Sequence, residues 1–212
     1  KTTYEEYAEQ GKFDNLTATE GANDTLIVTA TYKLGSLQKA EWHIAPDGGA
    51  RLVYSYVFNG VVDLMGVKFD LPEGDVKHKE WLGCGPYRVW KNRIHGPQLG
   101  VWANDYNDPV PGESFDYPEF KGYFAGVQWM KLQTKTGMIT ICPGTDKDYV
   151  GVYQPRDGRD QLLYTLPETG ISMMQVIPAV RNKVNTTDLN GPSAQPVWAN
   201  GSYTGEVTLH FD

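Results

Sequence analysis

Cysteine is nearly missing from this chain. The two present, Cys84 and Cys142, are too few for a disulfide scaffold and lack the Cys-x-x-Cys spacing of a thiolate metal site. Both are expected to be buried free thiols. Long apolar runs are missing too: none approaches the roughly 20 residues that span a bilayer. The opening Lys-Thr-Thr-Tyr has no apolar signal core, so neither a membrane partner nor an export signal is expected. Positive charge is in deficit, with 19 Lys and Arg against 26 Asp and Glu for a net charge of -7. A nucleic-acid partner is therefore excluded, because that affinity rests on clustered cations releasing counterions. Finally, no stretch of ordinary helix length carries a clear apolar stripe; only Tyr87 to Ile94 fits one short helical turn.

What the chain does have is 23 Gly, 13 Pro, 13 Tyr and 6 Trp in 212 residues, a mixture suited to short strands joined by turns. The expected fold class is all-β and antiparallel, with residues 1–212 forming one sandwich domain. Asp24 to Lys33 shows the pattern: Leu26, Val28, Ala30 and Tyr32 alternate with Thr25, Thr29 and Thr31. Gln38 to Ala45, the turn Pro46-Asp47-Gly48-Gly49 and Ala50 to Phe58 predict a hairpin. Further strands are expected near Asp63 to Leu71, Val76 to Leu82, Leu99 to Tyr106, Gly122 to Thr134, Met138 to Cys142, Tyr149 to Tyr153, Gly170 to Ile177 and Tyr203 to Phe211. The polar stretches 104–121, 143–148 and 181–202 read as loops, where binding residues concentrate. Asn15, Asn23, Asn185 and Asn200 begin sequons, which chance in a Thr-rich chain accounts for.

Residues 81–93 are the most specific part of the chain. Gly83 and Gly85 permit close backbone approach and Pro86 ends ladder pairing. Arg88, Lys91 and Arg93 are interleaved with Tyr87 and Trp90, placing forked donors beside aromatic faces; this suits sugar hydroxyls and equally a salt-bridged domain contact. Trp42 and Trp129 read as core anchors, whereas Trp90, Trp102 and Trp198 are the candidate sugar platforms. The segment Trp81-Leu82-Gly83-Cys84-Gly85-Pro86, closed by Arg93, resembles the W-x-G-x-G-P segment in the C-terminal, small-chain domain of family 2 β-galactosidases. Tyr117-Pro118-Glu119-Phe120-Lys121-Gly122 resembles an acidic loop of the same domain.

That resemblance implies an antiparallel supersandwich like that of galactose mutarotase, here the C-terminal part of a larger glycoside hydrolase. It also implies a non-catalytic accessory role beside the catalytic barrel of the parent chain, a β-galactoside-type carbohydrate as ligand, and a periplasmic or secreted location. The carbohydrate-binding candidates are Arg88, Trp90, Arg93, His95, Glu119, Lys121, Lys183 and Trp198, with no catalytic residue assigned. In the family, a loop from the region matching 181–192 supplies an aromatic to the sugar, and Trp198 is the nearest in type.

Glu113, Asp116 and Glu119 lie close in the chain, but a solvated acidic loop explains them better than a glycosidase pair. An aldose epimerase needs a His acid facing a Glu base. Of His43, His78, His95 and His210, only His95, just after the Arg93 loop, is placed to meet a ligand. Asn104-Asp105-Tyr106-Asn107-Asp108 and Asp146-Lys147-Asp148 offer oxygen ligands of the kind calcium takes, without the full spaced set, so no cofactor is expected. A free-standing carbohydrate-binding module is the remaining alternative.

Overall fold

The computed structural model describes residues 11–71, 75–105, 122–152, 170–180, 189 and 191–212. Twelve strands carry the architecture: β1 (Lys12–Glu20), β2 (Leu26–Leu34), β3 (Leu37–Ile44), β4 (Gly49–Val62), β5 (Met65–Asp70), β6 (Val76–Gly85), β7 (Gln98–Asp105), β8 (Trp129–Thr134), β9 (Met138–Pro143), β10 (Tyr149–Gly151), β11 (Gly170–Val176) and β12 (Val197–Phe211). Nine form one sheet in the order β1-β2-β3-β4-β12-β9-β8-β6-β7, and three form a second in the order β10-β11-β5. Every pairing is antiparallel. The fold is thus the antiparallel all-β class expected from composition.

Period-two alternation decides which face is buried. On the long central strands, Leu52, Tyr54 and Tyr56 of β4 and Ala199, Val207 and Leu209 of β12 point inward, joined by Met130 and Leu132 of β8 and Ile141 of β9. They pack against Val150, Ile171 and Met173 of the smaller sheet, and this is the main core. The opposite face of the large sheet mixes polar residues with exposed apolar ones such as Val61 and Trp198. There Arg51 donates to both carboxylate oxygens of Glu206, at 2.8 and 2.7 Å, and holds that carboxyl below its usual range.

The register puts Val28 opposite Trp42 and Ala30 opposite Ala40, but the alternation read for β2 does not appear in its burial: Ile27 to Tyr32 are all half-buried and Leu26 is exposed, because β2 lies toward the edge of the sheet beside the exposed β1. Trp42 packs against the core with its ring edge to Phe69, 5.9 Å between centroids. Trp129 does not serve as a core anchor. Its neighbours Met130 and Leu132 take the inward direction, which leaves Trp129 half-buried on the outer face with the Lys131 ammonium 5.4 Å from its ring centroid.

Four further expectations change, and β1 is a strand that the sequence reading does not place. Strand β1 has no clean alternation in Lys-Phe-Asp-Asn-Leu-Thr-Ala-Thr-Glu and is exposed throughout; cross-strand bonding to β2 alone makes it a strand. The span 122–134 is not one strand, because Gly126 at φ 61° turns the chain before β8. Part of the loop expected over 181–202 is strand, since β12 begins at Val197. Tyr87 to Ile94 forms no helical turn, because Val89 spends its N–H and C=O on Tyr123, at 2.8 and 3.0 Å. Both cysteines are free but half-buried rather than fully buried. Among the described residues no helix is long and apolar enough to cross a membrane.

Candidate functional site

The glycine-rich motif is built by close contacts. Trp81 lies inward on β6, edge-on to Phe124 at 4.9 Å, and its indole N–H donates to the Cys84 carbonyl at 3.2 Å. Residues 125–128 fold back onto β6, with Cys84 N–H donating to Ala125 O and Gln128 N–H to Leu82 O, both at 2.8 Å. They pass so near that a side chain at Gly83 would lie 3.1 Å from Val127 Cα. Gly85 meets the Trp102 indole, where a Cβ would sit 2.6 Å from ring carbon Cδ1, and Gly100 meets the same ring. These glycines therefore make room for packed aromatics. Gly85→Ala should cost about 1–3 kcal/mol through overpacking, read as a lower urea midpoint with an unchanged slope.

Trp102 is accordingly no open platform, since its ring is spent on Gly85 and Gly100 and its N–H on Gln98 O at 3.1 Å. Trp90 is corrected more sharply. It is 0% exposed, packed with Val89, Tyr123, Met174, Ile177 and Val180 in a second apolar cluster, its ring edge-on to Tyr123 at 6.0 Å. A tryptophan enclosed on all sides offers no face to a sugar. Arg88 is buried as well, its guanidinium carbon 5.9 Å from the Phe124 ring centroid.

Beyond Trp90 the chain makes a tight turn, Arg93 N–H donating to Trp90 O at 2.8 Å, and its tip is fastened to two other segments. Lys91 N–H donates to Pro178 O at 3.0 Å. The Asn92 amide imitates a strand partner: its Nδ2 donates to Val180 O at 2.8 Å, and its Oδ1 accepts from Val180 N–H at 2.9 Å. The Lys91 ammonium donates to Gln195 O, at the end of the short 3-10 turn Pro192–Ala194 that leads into β12. Three residues on, Trp198 stands 73% exposed, opposite Val61 of β4, which is also exposed. Their parity puts both on the outer face, next to the Asn200 and Asn59 pair. Asp63, just past β4, feels the Lys91 charge; loss of surrounding water pushes its carboxyl up more than Lys91 draws it down.

The structure thus gathers Lys91, Asn92, Arg93, Gln195 and the start of β12 at one end of the large sheet. Of the sequence candidates, Trp198 is open and linked to that end, Arg93 and His95 are exposed on the same loop, and Trp90 and Arg88 form its buried base. The other histidines each face a carboxylate: His43 with Glu41 at 2.9 Å, His78 with Asp105 at 3.1 Å and His210 with Asp212 at 3.2 Å. Glu119, Lys121 and Lys183, together with Glu113 and Asp116, lie outside the described residues. Asn92 was missed, for an asparagine in a polar run carries no mark of what its amide will meet. Tyr106, Asn107 and Asp108 are also outside the description. Asp146 is exposed while Asp148 turns inward, and among the described residues no three His, Cys, Asp or Glu cluster for a metal.

An exposed indole on the same sheet face as amide side chains can hold the apolar face of a sugar ring while its hydroxyls are hydrogen-bonded. A galactose mutarotase related enzyme from Lactobacillus acidophilus is similar over 95% of this chain and 71% of its own, at 9% identity and a TM-score of 0.30. No curated protein matches the chain. The β-galactosidase small chain family matches residues 2–179. With most of its length matched, the chain belongs to the β-galactosidase small chain family.

Proposed function

We propose that this chain is a non-catalytic accessory domain of a family 2 β-galactosidase-like glycoside hydrolase. It contributes carbohydrate contacts and completes an active site whose hydrolytic carboxylates stand on the catalytic barrel of the parent enzyme. The observation that supports this reading best is Trp198, an indole left 73% exposed on a strand whose start is fastened to the family's glycine-rich segment through Lys91 and Gln195. Large aromatics are normally withdrawn from water, and one held open on a rigid strand suits a flat ligand or a partner domain. Trp198 is the platform in this reading, and Arg93 and His95 are the polar neighbours.

The test is titration of the chain with galactose and lactose, followed by heteronuclear NMR and calorimetry. Saturable shifts centred on the Trp198 indole N–H are expected. Trp198→Ala should weaken binding about tenfold or more, since aromatic stacking contributes on the order of 1 kcal/mol beyond the apolar area it covers. Shifts that map elsewhere and survive Trp198→Ala would refute the platform. If the isolated chain is silent, Trp198→Ala in the full parent enzyme should raise KM for lactose; an unchanged KM would refute the sugar contact.

A further inference from the structure

The ends of β4 and β12 that carry Val61 and Trp198 run past their neighbours. Val57 to Val62 pair with Val197 to Ser202, whereas β3 pairs with β4 only as far as Tyr56 and β9 joins β12 only from Val207. Among the described residues this end is therefore a two-stranded ribbon. Its underside is anchored, because Phe58 and Val62 of β4 and Ala199 and Tyr203 of β12 pack into the main core. Its outer face carries Val61 beside Trp198, then Asn59 beside Asn200, then Val57 beside Ser202. Successive rows on one face of a strand lie about 7 Å apart, so a sugar ring seated on the indole reaches the amide row with its hydroxyls. The first charged side chains along this face of the two strands are Arg51 and Glu206, which are bonded to each other.

The amide row is held in place by the backbone. Asn59 Oδ1 accepts from Gly201 N–H at 2.9 Å, which fixes the side chain and leaves Nδ2, with its two donor hydrogens, to face outward from an exposed residue. Asn200 is exposed too, and its N–H donates to the Tyr203 hydroxyl at 2.9 Å, tying its backbone to a ring that packs on the core. Each asparagine is followed by a glycine at positive φ, Gly60 at 148° and Gly201 at 105°. A side chain at Gly201 would meet nothing within 4 Å, so glycine stands there for its backbone conformation and not for packing. Glycine inside a strand weakens the ladder and marks places where a ligand or another backbone comes close. The Asn59 and Asn200 row has that mark on both strands, next to the open indole.

We propose that Asn59 is the specificity-determining residue of a neutral-sugar subsite on this ribbon. The apolar face of the ring lies on Trp198 and Val61, one hydroxyl oxygen accepts from Asn59 Nδ2, and Asn200 bonds a neighbouring hydroxyl. The assignment rests on Trp198 being the carbohydrate platform, and the test separates the two. Asn59→Ala should weaken lactose binding about fivefold or more, the usual effect of leaving a hydrogen-bonding group unpaired. Among monodeoxy derivatives of lactose, the one lacking the contacted hydroxyl should lose as much affinity for the wild type, yet little more for Asn59→Ala, because the bond is already gone. A purely structural asparagine would weaken every derivative by the same factor, and that result would overturn the proposal. If the isolated chain does not bind, the same cycle is read as KM for lactose in the full parent enzyme. Binding lost in Trp198→Ala and unchanged in Asn59→Ala would overturn the role of Asn59 and leave the platform standing; binding or KM unchanged in both variants would overturn both.

Discussion

Replacing Trp90 with alanine should strip the second core cluster of its largest member and leave a cavity among Val89, Tyr123, Met174, Ile177 and Val180. Large aromatic truncations in a core cost about 3–5 kcal/mol. At roughly 2–4 °C per kcal/mol for a domain of about 200 residues, the midpoint should fall by about 6–20 °C. The site cannot relax easily, because a Gly122 side chain would already lie 2.5 Å from Val89 O and 3.2 Å from the Trp90 indole nitrogen. Thermal and urea unfolding check the stability. A sugar titration well below the transition checks the role, and binding there should persist as long as the chain is folded. An unchanged midpoint with lost binding would restore Trp90 as a ligand platform.

Asn92→Ala should have the second-largest effect, although it removes only a small polar side chain. Both backbone groups of Val180 are satisfied by the Asn92 amide, and Val180 is 1% exposed. Water cannot readily replace the amide at so buried a residue, and losing its hydrogen bonds is expected to cost about 1–3 kcal/mol. Asn92→Asp should also destabilise, since a carboxylate can accept from Val180 N–H but has no hydrogen to donate to Val180 O. Amide exchange separates this from a general loosening: Val180 N–H should lose protection far beyond the strands of the main core. Val180 protection equal to wild type would show that the staple does not hold this end of the molecule.

The two effects show where sequence reading succeeds and fails. Strands β2 to β4 were legible from their residue alternation and the turn between β3 and β4, although only β4 shows that period of two in its burial. Strand β1 was not, because it is an edge exposed on both faces, and nothing in its composition had to alternate. The motif at 81–93 was legible as a motif, but the use of its aromatics was not. Trp90 and Trp198 are the same residue type in similarly polar contexts. One is enclosed by Tyr123 and Met174 arriving from distant segments, and the other is left open by the parity of β12 against β4.

By itself, then, the sequence determined the class of fold, the positions of most strands, the close-packed glycine segment and the family. The family rests on the resemblance of residues 81–93 and 117–122, and the rest follows from local geometry: side-chain alternation, the backbone freedom of glycine and the missing N–H of proline. Only the tertiary structure decided which tryptophan is buried and which is open, and that Asn92 serves as a backbone partner for Val180. Each of these depends on segments far apart in the chain meeting in space, as Asn92 and Val180 do at 2.8 and 2.9 Å. Burial and hydrogen-bond partnership are properties of that meeting and leave no period in the chain.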